Sequence, residues 1–395
     1  MRVRTGMVGF TAAAVAFTVL TGPAQALDQG PGQGQGRAQG QAQEQGSGKR
    51  SHTQQALDEL VRAGAVGVVA RSEKQGAVWK GTAGVADRTT GKPRKANEHF
   101  RIGSITKTFV ATVLLQLEAE GRLSLDDTVE RHLPGLIRDG GNDGRKITVR
   151  QLLNHSSGLP EYLRNQTFYD RYINLPGFLE NRYTQHSPAD LVRTGMALGQ
   201  DFAPGTRFSY SNTGYIVAGM IVEKVTGNRY EDEIRERIAE PLKLRGTGSP
   251  GTATGIPRPS ARGYGVGPDG TLHDLTELSP TVAWSAGDMI STTADLNRFF
   301  GALLGGKVLP KKQLNAMKTT LPDPNGFIEG YGLGLYTTTT KCGTKLWGHA
   351  GGIMGWGADA VTTEDGRHTL AASANGGADG FEPVVDAEYC GTKKR

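Results

Sequence analysis

Cysteine is scarce in this chain. Cys342 and Cys390 are the only two in 395 residues, and two cysteines with no matching histidine cluster do not make a zinc site. Long apolar runs are almost as rare. Apart from residues 7–20, no stretch is long and apolar enough to cross a membrane, so no stable membrane anchor is expected. Basic residues form no stripe interleaved with aromatics, and nucleic acid is therefore not an expected partner. The formal charge of +6 is carried partly by the two ends, at Arg2, Arg4, Arg37, Lys49, Arg50 and residues 393–395. It implies no more than a weak attraction to anionic wall polymers. With 37% hydrophobic and 21% charged residues, the remainder is ordinary for a globular protein of one large or two interleaved domains.

The N-terminus has the order of an export signal. Arg2 and Arg4 precede the apolar run 7–20, and Ala24-Gln25-Ala26 supplies a small-residue cleavage site. A signal peptide over 1–26, cleaved after Ala26, predicts a secreted, extracellular protein. An uncleaved anchor is the competing reading, opposed by the short run and by Gly22-Pro23. Residues 27–50 are Gly, Gln and little else, which predicts a flexible linker ahead of a folded unit at 51–395. Outside the cytoplasm Cys342 and Cys390 can pair. The loop they close is worth about 4 kcal/mol in the chain-entropy model and would tie a late strand to the C-terminal helix; two free thiols are the alternative.

Within the folded unit, 53–62 reads as a helix with a Thr cap, followed by strands at 65–71 and 77–85 around a Lys74-Gln75-Gly76 turn. The block 123–284 is mainly helical, with helices at 190–198, 214–226 and 230–238 and a short one at 147–155 capped by Thr148. A helix at 293–304 leads back to strands at 332–338, 344–349, 357–363 and 368–373, with Asp365-Gly366 as a hairpin turn. Residues 382–389 close the chain as a helix. Strands at both ends around a helical insertion predict an α+β fold. One mixed sheet is expected from 51–122 and 285–395, an α lobe from 123–284, and a cleft where they meet.

Chemistry concentrates at 101–121, RIGSITKTFVATVLLQLEAEG. Ser104 and Lys107 lie one helical turn apart on one face of a segment that is otherwise apolar on most sides, so the helix is core and its polar start is exceptional. The helix dipole and burial both disfavour the charged amine, pushing Lys107 toward a usable base that can take the serine proton. Ser-x-x-Lys alone is weak, being expected by composition about once in a chain of this size. Two further motifs share the chain with it. Tyr210-Ser211-Asn212 lies in a Pro-Gly-rich loop just before a helix, where the tyrosine could relay a proton and Asn212 hold an acyl-side carbonyl. His349-Ala350-Gly351-Gly352 ends a strand, where Gly351 and Gly352 let a substrate backbone approach and Gly352 can offer its N–H to an oxyanion. Each alone is outweighed by a packing or turn reading.

The order and separation of the three resemble the penicillin-recognising serine hydrolases. The likeness is closest to the serine-type D-alanyl-D-alanine carboxypeptidases and class C β-lactamase-like enzymes, over about 56–390. GVADRTTG (84–91), FRIGSITKTF (100–109), LLNHSSGL (152–159), FSYSNTGY (208–215), the Trp284 segment, YGLGL (331–335) and GHAGGIMGW (348–356) carry it. The resemblance implies a β-lactamase/transpeptidase-like fold, an antiparallel sheet flanked by helices with an inserted α subdomain. It also implies an acyl-enzyme on Ser104, with Lys107 and Tyr210 sharing the proton traffic. Backbone N–H groups of Ser104 and Gly352 would form the oxyanion hole, Asn212 and His349 would position substrate and the lysine-tyrosine network, and Trp284 would line the cleft. His155, in NHSSG, reads as structural. No metal or organic cofactor is implied, and nothing obliges a dimer. Expected partners are peptidoglycan-type peptides ending in D-Ala-D-Ala, or other D-amino-acid substrates, and β-lactams as acylating ligands.

Three positions depart from the carboxypeptidase pattern. Where that group places hydroxyl residues and an arginine to grip a free C-terminal carboxylate, this chain has Ala350, Gly352 and Tyr336. Each missing charge-assisted contact costs about 1.5 to 3 kcal/mol. Weak carboxypeptidase activity follows, and a D-aminopeptidase, D-specific endopeptidase or esterase on the same scaffold is the alternative. A catalytically silent receptor for β-lactams or wall fragments is disfavoured by the three intact motifs.

Overall fold

The computed structural model describes residues 47–377 and 380–391; the expected signal peptide and residues 27–46 of the expected linker lie outside the described residues. The first helix runs Ser47–Arg62, so the linker boundary expected at residue 50 is corrected to before Ser47. Extending a helix that is already anchored costs far less than nucleating one.

Twelve strands follow among the described residues: β1 Gly67–Lys74, β2 Ala77–Asp87, β3 Lys92–Pro93, β4 Phe100–Arg101, β5 Tyr264–Val266, β6 Leu272–Asp274, β7 Ile290–Ser291, β8 Gly330–Tyr331, β9 Tyr336–Thr339, β10 Lys345–Ile353, β11 Trp356–Thr363 and β12 His368–Ala374. Eight of them make one sheet in the order β3-β2-β1-β12-β11-β10-β9-β8. Every neighbouring pair is antiparallel, the antiparallel sheet that the family resemblance implied rather than the mixed one suggested by the strand pattern alone. The reason lies in the connections: Gln75 and Gly76 both take positive φ, 50° and 85°, and such a tight turn can join only antiparallel strands. The pairing of β1 with β12, Val68 opposite Ala374, joins the early and late parts of the chain at the middle of the sheet.

One face of the sheet is covered by the first and last helices, which bury Leu57, Leu60, Val68, Leu370 and Val384 together. Against the other face lies the helix Thr293–Leu304, and beyond it the helix Thr106–Ala119, preceded by a 3-10 turn at Gly103–Ile105. Its Phe109 stacks on Phe299 of the helix Thr293–Leu304 with ring centroids 3.8 Å apart. Almost every side chain of Thr106–Ala119 is buried because the Thr293–Leu304 helix packs on one side and the inserted helices on the other.

The inserted helices include Val149–Leu153, with a capping box between Thr148 and Gln151, and Asn212–Thr226, capped by Ser211 and ended by Gly227 in the left-handed region. The helix expected over 230–238 runs Tyr230–Ile234 and then passes into a π-helical turn at Arg235–Ala239. Two small antiparallel pairs, β4 with β7 and β5 with β6, were not expected. At two or three residues each they are too short to display the alternation that marks a strand.

Two details position the site. The strand expected over 332–338 starts only at Tyr336, because Gly332 to Leu335 form a bend pressed onto the serine helix, where the Gly334 carbonyl accepts from Thr108 Oγ1 at 2.7 Å. In addition, β9 pairs with β10 only from Lys345 to Gly348. From His349 onward that edge of β10 therefore has no β9 partner.

The C-terminal helix Glu382–Cys390 is tied down twice. Cys342 and Cys390 form a disulfide closing 48 residues, with Cα atoms 5.5 Å apart; Cys342 lies in the turn between β9 and β10 rather than in a strand. Two residues earlier, Glu388 accepts from Thr53 Oγ1 at 3.0 Å, Ser72 Oγ at 2.5 Å and His368 Nε2 at 2.9 Å. Replacing both cysteines by serine should lower unfolding free energy by up to about 4 kcal/mol, measured by urea denaturation. An unchanged midpoint would mean that the Glu388 contacts and helix packing already hold the C-terminus.

Candidate active site

Ser104 is set at the junction between β4 and its helix by the 3-10 turn, whose Gly103 has φ of 49°. Lys107 follows in the first turn of the α-helix and is 0% exposed. Its Nζ lies 3.0 Å from Ser104 Oγ, 2.6 Å from Asn212 Oδ1 and 2.7 Å from the Ala286 carbonyl oxygen. The last two atoms can only accept. A neutral amine has two N–H groups and one lone pair, so both hydrogens are spent on Asn212 and Ala286 and the lone pair is left facing the serine hydroxyl. Geometry alone thus orients Lys107 as a proton acceptor for Ser104.

Electrostatics agree. Burial pushes the Lys107 ammonium down to about 7, opposed by the negative charge of Glu161. Tyr210, which hydrogen-bonds the Ser104 side chain, is pushed the other way, above the usual phenol range, by burial and by Glu161. Between the two, Lys107 can be neutral near neutral pH while Tyr210 keeps its proton, which fits the amine for a base and the phenol for a donor.

The backbone opposite is held at contact distance by glycine. A Cβ on Gly351 would sit 2.0 Å from the Ile102 carbonyl oxygen and 2.8 Å from Ser104 N. One on Gly103 would sit 2.6 Å from the Gly352 carbonyl oxygen and 2.7 Å from Gly352 N. No side chain fits at either position, and the turn carrying Ser104 therefore lies directly on the unpaired edge of β10. The N–H groups of Ser104 and Gly352 belong to these two touching segments.

With that geometry in view, residues 50–389 match the family model described as Beta-lactamase. The chain belongs to the beta-lactamase family. It shares that family's β-lactamase/transpeptidase-like fold and is one of its serine hydrolases, with penicillin-binding proteins among its relatives. It is similar to penicillin-binding protein 4* of Bacillus subtilis (strain 168), 28% identical over 345 residues, covering 83% of this chain and 72% of that one. Among solved structures it is similar to a D-stereospecific amidohydrolase from Streptomyces sp., at 47% identity and a TM-score of 0.83, covering 87% of this chain and 99% of that one. A D-amino acid amidase from Ochrobactrum anthropi SV3, complexed with L-phenylalanine amide, superposes with a TM-score of 0.74 at 30% identity over 86% of this chain and 98% of that one.

Around the beta-lactamase-family centre, supporting residues fix the reactive ones. His155 has φ of 59°. Its Nδ1 accepts from Ser211 N–H at 3.1 Å, and its carbonyl accepts from Ser209 N–H at 2.9 Å. These bonds flank Tyr210, whose ring centroid lies 4.1 Å from the imidazole. Burial, and the charge of Lys107, push His155 well below the usual range, so it is a neutral spacer that shapes the tyrosine loop.

His349 is likewise pushed down to about 3 by burial and by Lys107. Its Nδ1 faces the Ala350 carbonyl and must carry the proton, leaving Nε2 to accept from Tyr331 O–H at 2.8 Å. Tyr215, beside Tyr331, donates its own hydroxyl to the Leu153 carbonyl at 2.7 Å. This chain of groups ties β10 to the helical lobe. The two His349 ring nitrogens are thus taken by Tyr331 and Ala350 rather than by Ser104.

Trp284, expected to line the cleft, has φ of 38°. Its ring is packed into the helical lobe, edge-on to Tyr230 at 4.8 Å, and close enough to Gly219 that a Cβ there would lie 3.0 Å from the ring. Its carbonyl accepts from Gly287 and Asp288 N–H, both at 3.0 Å, which shapes the bend that aims the Ala286 carbonyl at Lys107. The fold thus gathers Ser104, Lys107, Tyr210 and Asn212 directly, and Gly351 and Gly352 by backbone contact. His349 and Trp284 act at one remove, and Cys342 and Cys390 stand apart from the site. Among the described residues no group of three His, Cys, Asp or Glu side chains could hold a metal ion.

Sequence reading missed Glu161, Tyr215 and Tyr331. Glu161 follows LLNHSSGL within three residues, and Tyr215 and Tyr331 lie inside FSYSNTGY and YGLGL, so position within those segments was the available signal.

Two outcomes are expected. Gly351→Ala should lower the rate of Ser104 acylation about a hundredfold or more, since it displaces the turn that places Ser104 N–H, while thermal melting still reports a folded protein; full activity would show that the backbone contact is dispensable. The acylation rate should rise with pH through a limb near 7, because protonation below that pH occupies the lone pair of Lys107. A rate flat from pH 5 to 9, followed by stopped-flow, would remove Lys107 as the base.

Proposed function

We propose that this chain is an exported serine amidohydrolase that cleaves amides or esters of D-amino acids through an acyl-enzyme on Ser104. The observation that carries this substrate class is at Tyr336, where the carboxypeptidase pattern has an arginine. Its hydroxyl is spent on Asp359 at 2.8 Å. The Asp359 carboxyl is pushed up to about 7 by burial, and Glu382 adds further negative charge beside it. Asp359 pairs across the sheet with Ala350, which is exposed, as is Gly352, and neither brings a hydroxyl. Acidic rather than basic groups therefore border this stretch of β10, and a free substrate carboxylate would find no cation there. The 47% identity with a D-stereospecific amidohydrolase supports the same reading.

In this mechanism Ser104 Oγ attacks the acyl carbon as its proton passes to the lone pair of Lys107. The oxygen that becomes negative takes hydrogen bonds from Ser104 and Gly352 N–H. The leaving nitrogen collects a proton from the Lys107–Tyr210 pair, and water then hydrolyses the ester by the reverse path, releasing the D-amino acid. Asn212 orients Lys107 throughout. β-Lactams would acylate the same serine. Export is supported by the expected signal at 1–26 and by the disulfide, which suits an oxidising compartment.

The similarity to penicillin-binding protein 4* favours a second reading, a D-alanyl-D-alanine carboxypeptidase on peptidoglycan precursors. Comparing kcat/KM for a D-amino acid amide with that for a peptide ending in D-Ala-D-Ala separates them. The amide should be better by about tenfold or more, and Ser104→Ala should reduce either activity by about a thousandfold or more. Preference for the free carboxylate would establish the carboxypeptidase instead.

A further inference from the structure

Glu161 is a carboxylate 6% exposed, with no part in the mechanism above. It follows the Tyr210-supporting loop at His155 and lies against the backbone of Asn212. One carboxylate oxygen accepts from Leu163 N–H at 3.0 Å. The other accepts from Asn212 backbone N–H, and the Asn212 side-chain amide lies close enough to stabilise the ionised carboxylate. Asn212 Oδ1 is already committed to Lys107 Nζ at 2.6 Å. Its amide NH2 must therefore be the end that faces Glu161. Asn212 is thus a two-ended bridge, with the amine on one side and the carboxylate on the other.

We propose that Glu161 is the positioning residue that sets the proton balance of the site, acting through Asn212 as the counter-charge to Lys107. The proposal rests on Lys107 serving Ser104 as base and is independent of the substrate class. Other titratable groups facing the amine cannot take this part. His155 and His349 are kept neutral by burial and can only oppose a charged amine. Tyr210 and Tyr215, with ring centroids 4.9 and 5.5 Å from Nζ, are held protonated by burial. Ser104 Oγ and the Ala286 carbonyl are uncharged partners. Burial raises the Glu161 carboxyl itself, opposed by the N–H groups of Asn212 and Leu163 and by Lys107; once ionised, it holds Lys107 up and raises Tyr210 at the same time. Without it, the buried amine would be a weaker base and the phenol easier to ionise, and the two would lose their division of labour. Backbone N–H groups already occupy both carboxylate oxygens, so Glu161 acts on Lys107 and Asn212 rather than on substrate.

The test is the pH dependence of Ser104 acylation by p-nitrophenyl acetate, an ester without a titratable group in the working range. Glu161→Gln should move the acid limb down by about one pH unit, and Glu161→Asp, which keeps the charge, should leave the limb in place even if the rate falls. A Glu161→Gln enzyme that is merely slower, with its limb unmoved, overturns the proposal. If Glu161→Gln does not fold, the wild type labelled with 13C at glutamate carboxyls decides: the Glu161 signal should inflect at the pH of the acylation limb, and no inflection there overturns the assignment. Absence of any Ser104 acylation in the wild type would count against the serine mechanism itself, and the 13C titration would still report on Glu161.

Discussion

An amine enclosed on every side is the constraint on which the site depends. Lys107 has no water to carry its charge, and its two hydrogens are claimed by carbonyl-type oxygens from different parts of the chain, Asn212 in the helical lobe and Ala286 in the segment leading back to the sheet. Only then does the lone pair have one direction left, toward Ser104. Remove the enclosure and the lysine is an ordinary surface cation. The burial of Thr106–Ala119 among the surrounding helices is therefore chemical as well as structural, since the packing that stabilises the helix also disfavours the charged form of Lys107 in its first turn.

A second constraint acts on the opposite wall. Gly103 and Gly351 let two backbones touch where any side chain would force them apart. The Ser104 turn and the edge strand are thereby fixed relative to one another by main chain, which has fewer ways to move than side chains do. His155 and the Tyr331–His349 bond extend that rigidity, one into the tyrosine loop and the other along β10. These groups are neutral, so they hold position without disturbing the charge balance around the amine.

Much of this was legible in the residues. Ser104 with Lys107, the Tyr210 loop and the glycines after His349 were readable because their chemistry depends on short local spacing, and helices such as Thr293–Leu304 because their apolar period is long enough to register. What escaped had no local signature. Glu161 matters through a hydrogen bond to a residue 51 positions away, and the bend at Gly332 to Leu335 looked like a strand because its apolar side chains answer to the serine helix rather than to a neighbouring strand. The side of the sheet bordered by Asp359 and Glu382 was hinted at only by an arginine that was missing.

The pairing of β1 with β12 has a consequence in time as well as in space. Ser104 is synthesised early, but the strand edge that completes its surroundings, and the two strands that hold that edge in the sheet, arrive only with the last part of the chain. An incomplete polypeptide can contain the nucleophile and its base and still be chemically mute. The surroundings of Ser104 are thus complete only once strands from both ends of the chain have paired.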